Sequence, residues 1–173
     1  LYLGRIVESK GCATLFDAFL RWQRTTGATR ATLVLAGRGD PEMPVPSDPR
    51  IRQVGSLSEQ QKFDALAGAT ALVMPSRLES LSIVTLEAWA AGRPVIVEAR
   101  SPVLSSMVAR AGAGLAFRSW LELAEIGELL IADPGLGDRL GRAGRRFVEA
   151  TYTWPVVVEK YRDLFAEVAL RNS

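Results

Sequence analysis

The sequence of 173 residues has no histidine and only one cysteine, Cys12. A single thiol cannot form an internal disulfide, and without histidine there is no ligand set for a Cys/His zinc site. The lack of histidine also excludes Ser-His-Asp and Cys-His catalytic sets, and it removes the commonest proton-transfer group at neutral pH. Any chemistry must therefore use carboxylates, cationic side chains and backbone groups.

A strong charge imbalance and a long apolar run are missing as well. The 21 basic and 19 acidic residues give a net charge of +2, too balanced for a dedicated nucleic-acid binder. No apolar run reaches the roughly 18 residues that a membrane span requires. The length predicts a single domain over residues 1–173. The start, LYLGR, has no initiator methionine and is typical of the inside of a strand, so a fragment of a longer protein is expected.

Short apolar stretches alternate with helical patterns along the chain. Strands are predicted at 1–4, 32–36, 51–54, 71–74, 94–97 and 114–117, and helices at 12–24, 59–68, 82–91, 102–111, 120–132, 136–150 and 155–171. Ser58 and Ser101 are predicted to cap two of the helices. This alternation predicts an α/β fold, a Rossmann-like doubly wound parallel sheet of about six strands with helices on both faces.

The first candidate site is the segment GRIVESKG, residues 4–11, between the first strand and the first helix. In an open parallel sheet, ligands bind beyond the carboxyl ends of the strands, where helix N-termini favour anions. Arg5 and Lys10 in this segment would suit a diphosphate. The alternative is structural, with Arg5 paired to Glu8 and Lys10 simply solvated.

The second candidate site is PSRLESLSIVTLEAW, residues 75–89, with glutamates at positions 79 and 87. Glu87 is predicted to lie on a helix buried nearly all round, with no partner on that helix, and a buried carboxylate needs a cation or several hydrogen-bond donors. Glu79 precedes the helix start, whose unpaired N–H groups would form a seat for an anion. The alternatives are a helix-capping role for Glu79 and a structural pairing of Glu87 with a core arginine.

Six stretches of sequence, in order along nearly the whole chain, resemble a known family. They are LYLGRIVESKG (1–11), LVLAGRGD (33–40), IRQVGSLSEQQK (51–62), ALVMPSRLESLSIVTLEAWAAGRPVIV (71–97), GAGLAF (112–117) and GRRFVEATYTWPVVVEKYRDLF (144–165). They resemble the C-terminal, nucleotide-sugar-binding domain of retaining family-four glycosyltransferases, the glycosyl transferases group 1. The resemblance implies one half of a GT-B enzyme, in which the active site lies between two Rossmann-like domains. The N-terminal acceptor domain is expected to be absent from this chain.

The resemblance also implies roles for individual positions. Arg5 and Lys10 match the basic pair at the donor diphosphate, while Glu79 and Glu87 match the two glutamates of an E-x7-E motif, near the sugar hydroxyls and the ribose respectively. The backbone of 81–83 is expected at the phosphate and sugar, and 54–57 beside the base. The expected catalytic residues are Arg5, Lys10 and Glu79, and the expected donor-binding residues are Gly4, Arg5, Lys10, Val54, Leu57, Glu79, Leu81, Ser82, Ile83 and Glu87.

The implied reaction is retaining transfer of a sugar from a UDP- or GDP-linked donor to an acceptor, in glycan, glycolipid or polysaccharide synthesis. No D-x-D pair occurs in the sequence, so no metal is expected. The isolated domain is expected to be inactive. A cytoplasmic location is expected, and the resemblance allows a peripheral association of the full-length enzyme with the inner face of a membrane.

Two features qualify this assignment. The family most often has glycine where this chain has Ser82, and a side chain there is expected to crowd the donor sugar. The last predicted helix joins the two domains in the family, so its apolar stripe is expected to be exposed and to favour dimerisation; it comprises Val157, Val158, Tyr161, Leu164, Phe165 and Val168.

Other functions remain alternatives on the sequence. A sugar-nucleotide 2-epimerase would keep the fold and change the reaction. A phosphoacceptor receiver module would need acidic residues after the first strand, where this chain has Gly4 and Arg5. A dinucleotide-dependent oxidoreductase would need a glycine-rich turn into a helix, but Gly37-Arg38-Gly39 leads into a proline-rich loop.

Overall fold

The computed structural model describes residues 1–26 and 31–171, and it has the predicted α/β class. The strands are β1 (Tyr2–Leu3), β2 (Leu33–Ala36), β3 (Ile51–Gly55), β4 (Leu72–Met74), β5 (Val95–Glu98) and β6 (Gly114–Phe117). The helices are α1 (Cys12–Thr26), α2 (Glu59–Gly68), α3 (Ile83–Ala90), α4 (Pro102–Ala111), α5 (Trp120–Ala132), α6 (Pro134–Thr151) and α7 (Trp154–Arg171), and a 3₁₀ turn covers Glu8–Lys10.

The strands form two parallel three-stranded ladders, in the orders β1-β2-β3 and β4-β5-β6. Backbone hydrogen bonds join the ladders, since Leu1 donates to the Ala71 carbonyl at 3.0 Å and Val73 donates to the Leu1 carbonyl at 2.8 Å. The spatial order is therefore β3-β2-β1-β4-β5-β6. The order of the strands reverses between β1 and β4, which is where such sheets open a crevice for ligands.

Two apolar cores cover the two faces of the sheet. Side chains alternate between the faces along each strand, so that Tyr2 and Val73 pack on the side of α1 and α5. Leu3 and Leu72 pack on the opposite side, with α2, α3 and α4. Helices on both faces are thus confirmed, and β1 lies at the centre of the molecule.

Two helix starts follow from the predicted caps. The Ser58 hydroxyl accepts from the Gln61 N–H as half of a capping box, and the Ser101 hydroxyl accepts from the Leu104 N–H. The prediction that α6 starts at residue 136 was wrong, because the helix begins at Pro134. Proline suits the first turn of a helix, and the Asp133 carboxylate accepts from the Leu136 N–H.

Helix α3, which carries Glu87, is fixed in place by its packing against neighbouring elements. Trp89 is fully buried, and its indole N–H donates to the Ala113 carbonyl at 2.8 Å. Helix α6 packs against α3 with glycine facing this ring, since a Cβ at Gly144 would lie 2.3 Å from the indole. The close approach fixes α3 under the crevice.

Candidate functional site

The crevice at the carboxyl ends of β1 and β4 contains a pocket of about 220 Å³. Six of the predicted site residues line it, and they come from the exit of β1 and from the entry to α3. These six are Gly4, Lys10, Glu79, Leu81, Ser82 and Ile83. The structure therefore brings together two segments that are about 70 residues apart in the chain, as their similar position on parallel strands predicts.

Gly11 places the first segment directly against the second. Its φ of +76° favours glycine, and a Cβ at this position would lie 2.3 Å from the carbonyl oxygen of Pro75. The loop after β1 thus touches the loop after β4 with no room for a side chain between them. This contact sets how far Lys10 reaches across the crevice.

Lys10 and Glu79 form an ion pair across the pocket. The Lys10 Nζ donates to Glu79 Oε1 at 2.8 Å, with the lysine side chain 33% exposed and the glutamate side chain 9% exposed. Glu79 does not cap a helix, because Ser82 occupies the N-cap position of α3. Neither alternative is observed: Glu79 is not a helix cap, and Lys10 is not simply solvated.

The start of α3 presents unpaired backbone donors to the same pocket. Within residues 1–26 and 31–171, no acceptor reaches the backbone N–H groups of Leu81, Ser82 and Val84. Helix N-termini with free N–H groups attract anions, through hydrogen bonding and through the helix dipole. The free backbone donors on which the predicted anion seat depends are therefore present.

Ser82 does not direct a free hydroxyl into the pocket. Its side chain is 3% exposed, and its hydroxyl accepts a hydrogen bond from Thr85 Oγ1 at 2.9 Å. Its φ of −81° is accessible to any residue. The hydroxyl is therefore satisfied within the turn that starts α3.

Glu87 is paired with a cation that the sequence analysis did not identify. Lys62 of α2 donates from Nζ to Glu87 Oε1. The prediction that α3 is buried nearly all round was wrong. Thr85, Ala88 and Trp89 face the core, but Ile83 is 63% exposed because the start of the helix lies open at the crevice.

Four predicted donor-binding residues lie outside the residues that line this pocket: Arg5, Val54, Leu57 and Glu87. Arg5 is exposed, and its guanidinium forms no ion pair with any described residue, so the alternative pairing with Glu8 is not observed. Val54 is exposed and Leu57 half-buried, at the end of β3 and before α2. Both lie at the carboxyl end of β3, two strands from β1.

The Tyr2 side chain supports the backbone at Arg5 through a hydrogen bond. Its phenol donates to the Arg5 carbonyl at 2.6 Å and is almost fully buried. Burial, followed by the hydrogen bond with Cys12, raises the pKa of Tyr2 well above its usual range. The phenol therefore acts as a neutral hydrogen-bond donor at all physiological pH values.

Glu98 is a buried carboxylate at the end of β5. Arg100 donates to it from Nε and from Nη2, each at 2.8 Å, and the Glu98 side chain is 1% exposed. Burial alone would raise the pKa of Glu98, but the hydrogen bonds and charge of Arg100, aided by the charge of Arg77, outweigh burial and lower it. Glu98 thus remains ionised and fixes the loop after β5.

A larger cavity, about 810 Å³, opens at the opposite end of the strands. Its lining is mostly apolar and includes Leu1, Leu33, Ala71 and Leu130. Ligands of parallel α/β sheets bind at the carboxyl ends of the strands. The smaller crevice, which combines charged side chains with open backbone donors, is therefore the candidate site.

The profile of the family "Glycosyl transferases group 1" matches residues 1–133, well over half of the chain. The chain belongs to this family. Family membership agrees with the motifs at both sides of the crevice, and it removes the receiver-type alternative.

Known relatives agree with this assignment. The chain is 30% identical over 165 residues to a glycogen synthase of Mycobacterium tuberculosis, covering 91% of this chain and 39% of that protein. Sucrose-phosphate synthase from Thermosynechococcus elongatus has a TM-score of 0.76 at 27% identity, over 96% of this chain and 45% of that one. HepE of Anabaena in complex with UDP shares the fold, with a TM-score of 0.80 at 15% identity, over 96% of this chain and 48% of that one. The chain thus spans less than half the length of each of these three proteins.

Two negative findings apply to the described part of the chain. No group of three or more histidine, cysteine, aspartate or glutamate side chains is placed to hold a metal ion between residues 1–26 and 31–171. None of the helices in the same ranges is long and apolar enough to span a bilayer.

The sequence did not indicate Tyr2, which lines the crevice pocket, or Lys62, which pairs with Glu87. A signal existed for Tyr2, because it is the inward-facing polar aromatic residue of the central strand. No local signal existed for Lys62, whose partner lies 25 positions away on another helix. Only the packing of α2 against α3 brings Lys62 and Glu87 together.

Proposed function

We propose that this chain binds a nucleotide-diphosphate sugar, UDP- or GDP-linked, and is the donor-binding half of a retaining glycosyltransferase. The observation that carries the proposal is the Lys10–Glu79 ion pair beside the open N–H groups of α3. A cationic side chain and a helix start that meet at one pocket are suited to a diphosphate. In this proposal Arg5, exposed and unpaired within the described residues, supplies the second cation.

The proposed mechanism stabilises the leaving group. When the sugar departs, negative charge develops on the nucleoside diphosphate, and each fixed donor aimed at such charge contributes about 3–4 kcal/mol. Lys10, Arg5 and the N–H groups at the start of α3 take this role. Permanent cations replace a divalent metal, and no metal is needed.

Glu79 is proposed to orient the sugar rather than to attack it. Its Oε1 accepts from Lys10 at 2.8 Å, which holds the carboxylate at the pocket wall. A carboxylate engaged by an ammonium group is a weaker nucleophile, but it still accepts hydrogen bonds from sugar hydroxyls. Glu87 is proposed to accept from the ribose, with Val54 and Leu57 beside the base.

The acceptor site belongs to the other half of the proposed enzyme. We propose that the complete protein closes an acceptor domain over this crevice, that it works in the cytoplasm and associates peripherally with a membrane, and that the 173 residues alone do not transfer sugar. The same crevice would serve an epimerase. Product analysis with the complete protein, as transferred sugar or as free epimerised donor, separates the two reactions.

Calorimetric titration with UDP and with GDP tests donor binding. Arg5→Ala and Glu87→Ala are expected to weaken binding by about tenfold or more, since each removes a charged hydrogen-bond partner. Arg142→Ala and Glu149→Ala, which remove exposed charges on α6, are matched controls and are expected to leave binding unchanged. Unchanged nucleotide binding in both site variants would refute the proposal.

A further inference from the structure

The ion pair between Lys62 and Glu87 joins two helices at the edge of the crevice. Glu87 is the only charged residue of α3, and its neighbours one turn away are all apolar: Ile83, Val84, Ala90 and Ala91. Helical neighbours therefore offer it no partner. The cation comes instead from α2, where Lys62 lies in the first turns after the Ser58 capping box.

The pair is partly shielded yet accessible. The Lys62 side chain is 25% exposed and the Glu87 side chain 20% exposed. The Lys62 Nζ also lies 4.9 Å from the centre of the Phe63 ring, a distance at which a cation is attracted to an aromatic face. Two contacts thus fix the ammonium group, while a fifth of the Glu87 side chain stays accessible from outside the protein.

Lys62 occupies only one side of the Glu87 carboxylate. It donates to Oε1, and none of the residues that the structure describes donates to Oε2. A carboxylate offers about four acceptor positions on its two oxygens. Glu87 therefore keeps free acceptor capacity, as a group that binds a vicinal diol requires.

The same arrangement occurs at the other glutamate of the motif. Lys10, from the turn before α1, holds Oε1 of Glu79, as Lys62 from α2 holds Oε1 of Glu87. In both cases the lysine comes from a different element from the glutamate, so the carboxylate is fixed by tertiary structure. Fixing a recognition group before the ligand arrives reduces the entropy lost on binding.

We propose that Lys62 is a positioning residue that orients the Glu87 carboxylate towards the ribose hydroxyls, so that the site selects ribonucleotides over 2′-deoxyribonucleotides. The inference rests on the proposed function, because it requires a nucleoside diphosphate in the crevice. It extends that function by assigning the selectivity for ribose over deoxyribose to the side chains of Lys62 and Glu87. Lys62 itself need not touch the ligand.

The test measures the affinities of UDP, GDP and their 2′-deoxy analogues by calorimetry. The variants are then compared with the ribo and 2′-deoxy forms of whichever nucleotide, UDP or GDP, the wild type binds more tightly. Lys62→Met is expected to weaken ribonucleotide binding by about tenfold and deoxyribonucleotide binding little, so that selectivity falls. Lys62→Arg restores the cation and is expected to keep the wild-type selectivity. Lys160→Met, which removes a lysine on α7, is expected to change neither affinity.

The outcomes separate the two proposals. If wild type binds nucleoside diphosphates and Glu87→Gln loses ribose selectivity, while Lys62→Met keeps it or loses both affinities equally, the role of Lys62 is refuted and the proposed function stands. If wild type binds none of the four nucleotides, both are refuted. Lys62→Gln is a second uncharged variant, and thermal unfolding verifies that each variant is folded.

Discussion

The contact between Gly11 and Pro75 allows a quantitative test of how the crevice is built. A Cβ at Gly11 would lie 2.3 Å from the Pro75 carbonyl oxygen, whereas ordinary contacts begin at 3.4 Å. Gly11→Ala therefore forces the two loops apart by about 1 Å in a region packed at crystal-like density. The residue must also adopt a φ of +76°, which costs alanine roughly 1–2 kcal/mol.

Gly92→Ala is the matched control for the backbone term. Gly92 has a φ of +73°, but a Cβ there would meet no atom within 4 Å. The control therefore includes the conformational cost without the steric clash. Overpacking costs about 1–3 kcal/mol, so Gly11→Ala is expected to be less stable than Gly92→Ala by about 2 kcal/mol.

Thermal unfolding followed by circular dichroism measures this difference. For a chain of this size, about 2 kcal/mol corresponds to a difference in Tm of roughly 4–8 °C. Gly11→Ala is also expected to weaken UDP binding by about tenfold, because separating the loops lengthens the Lys10–Glu79 hydrogen bond. Gly92→Ala is expected to bind UDP as the wild type does. Equal Tm values for the two variants, or wild-type UDP affinity in Gly11→Ala, would refute this account.

Two further predictions concern other parts of the fold. Because Arg100 lowers the pKa of Glu98, the ion pair stabilises the folded state at neutral pH, and this stability is lost as the pH falls below the ordinary value of 4.5 and through the folded pKa. Glu98→Gln is expected to flatten the fall of Tm between neutral and acidic pH; a slope equal to that of the wild type would contradict this. The exposed apolar side chains of α7, Leu164 and Phe165 among them, are expected to cause concentration-dependent association, measured by light scattering. Replacing Leu164 and Phe165 by serine is expected to reduce this association, and the control Arg162→Ser is expected to leave it unchanged. A wild type that stays monomeric at high concentration would contradict the prediction.

The fold could be predicted from the sequence because its signals are local. The capping box at Ser58 and the serine-proline pair at 101–102 fix the starts of α2 and α4 within single turns of chain. The apolar strand segments are short, and their alternation with helices leaves few possible topologies. The Asp133-Pro134 pair carried the same kind of signal for α6.

The candidate site could be predicted only in part. Parallel strands place their ends at one edge of the sheet, so the meeting of Lys10 with the loop of Glu79 follows from topology. The pairing of Lys62 with Glu87 does not, because it depends on the rotation of α2 against α3. Arg5, whose alternative pairing with Glu8 the sequence favoured equally, is exposed and has no ion-pair partner in the described part of the chain.

The conformation of Ser82 has a consequence for how such sites are recognised in new sequences. Its backbone lies at a φ of −81°, and its hydroxyl is bonded to Thr85. The turn therefore tolerates a small side chain that makes its own internal hydrogen bond. A motif definition that demands glycine three positions after the first glutamate would overlook chains of this kind, whereas one that admits serine there, followed three positions later by threonine, would retain them.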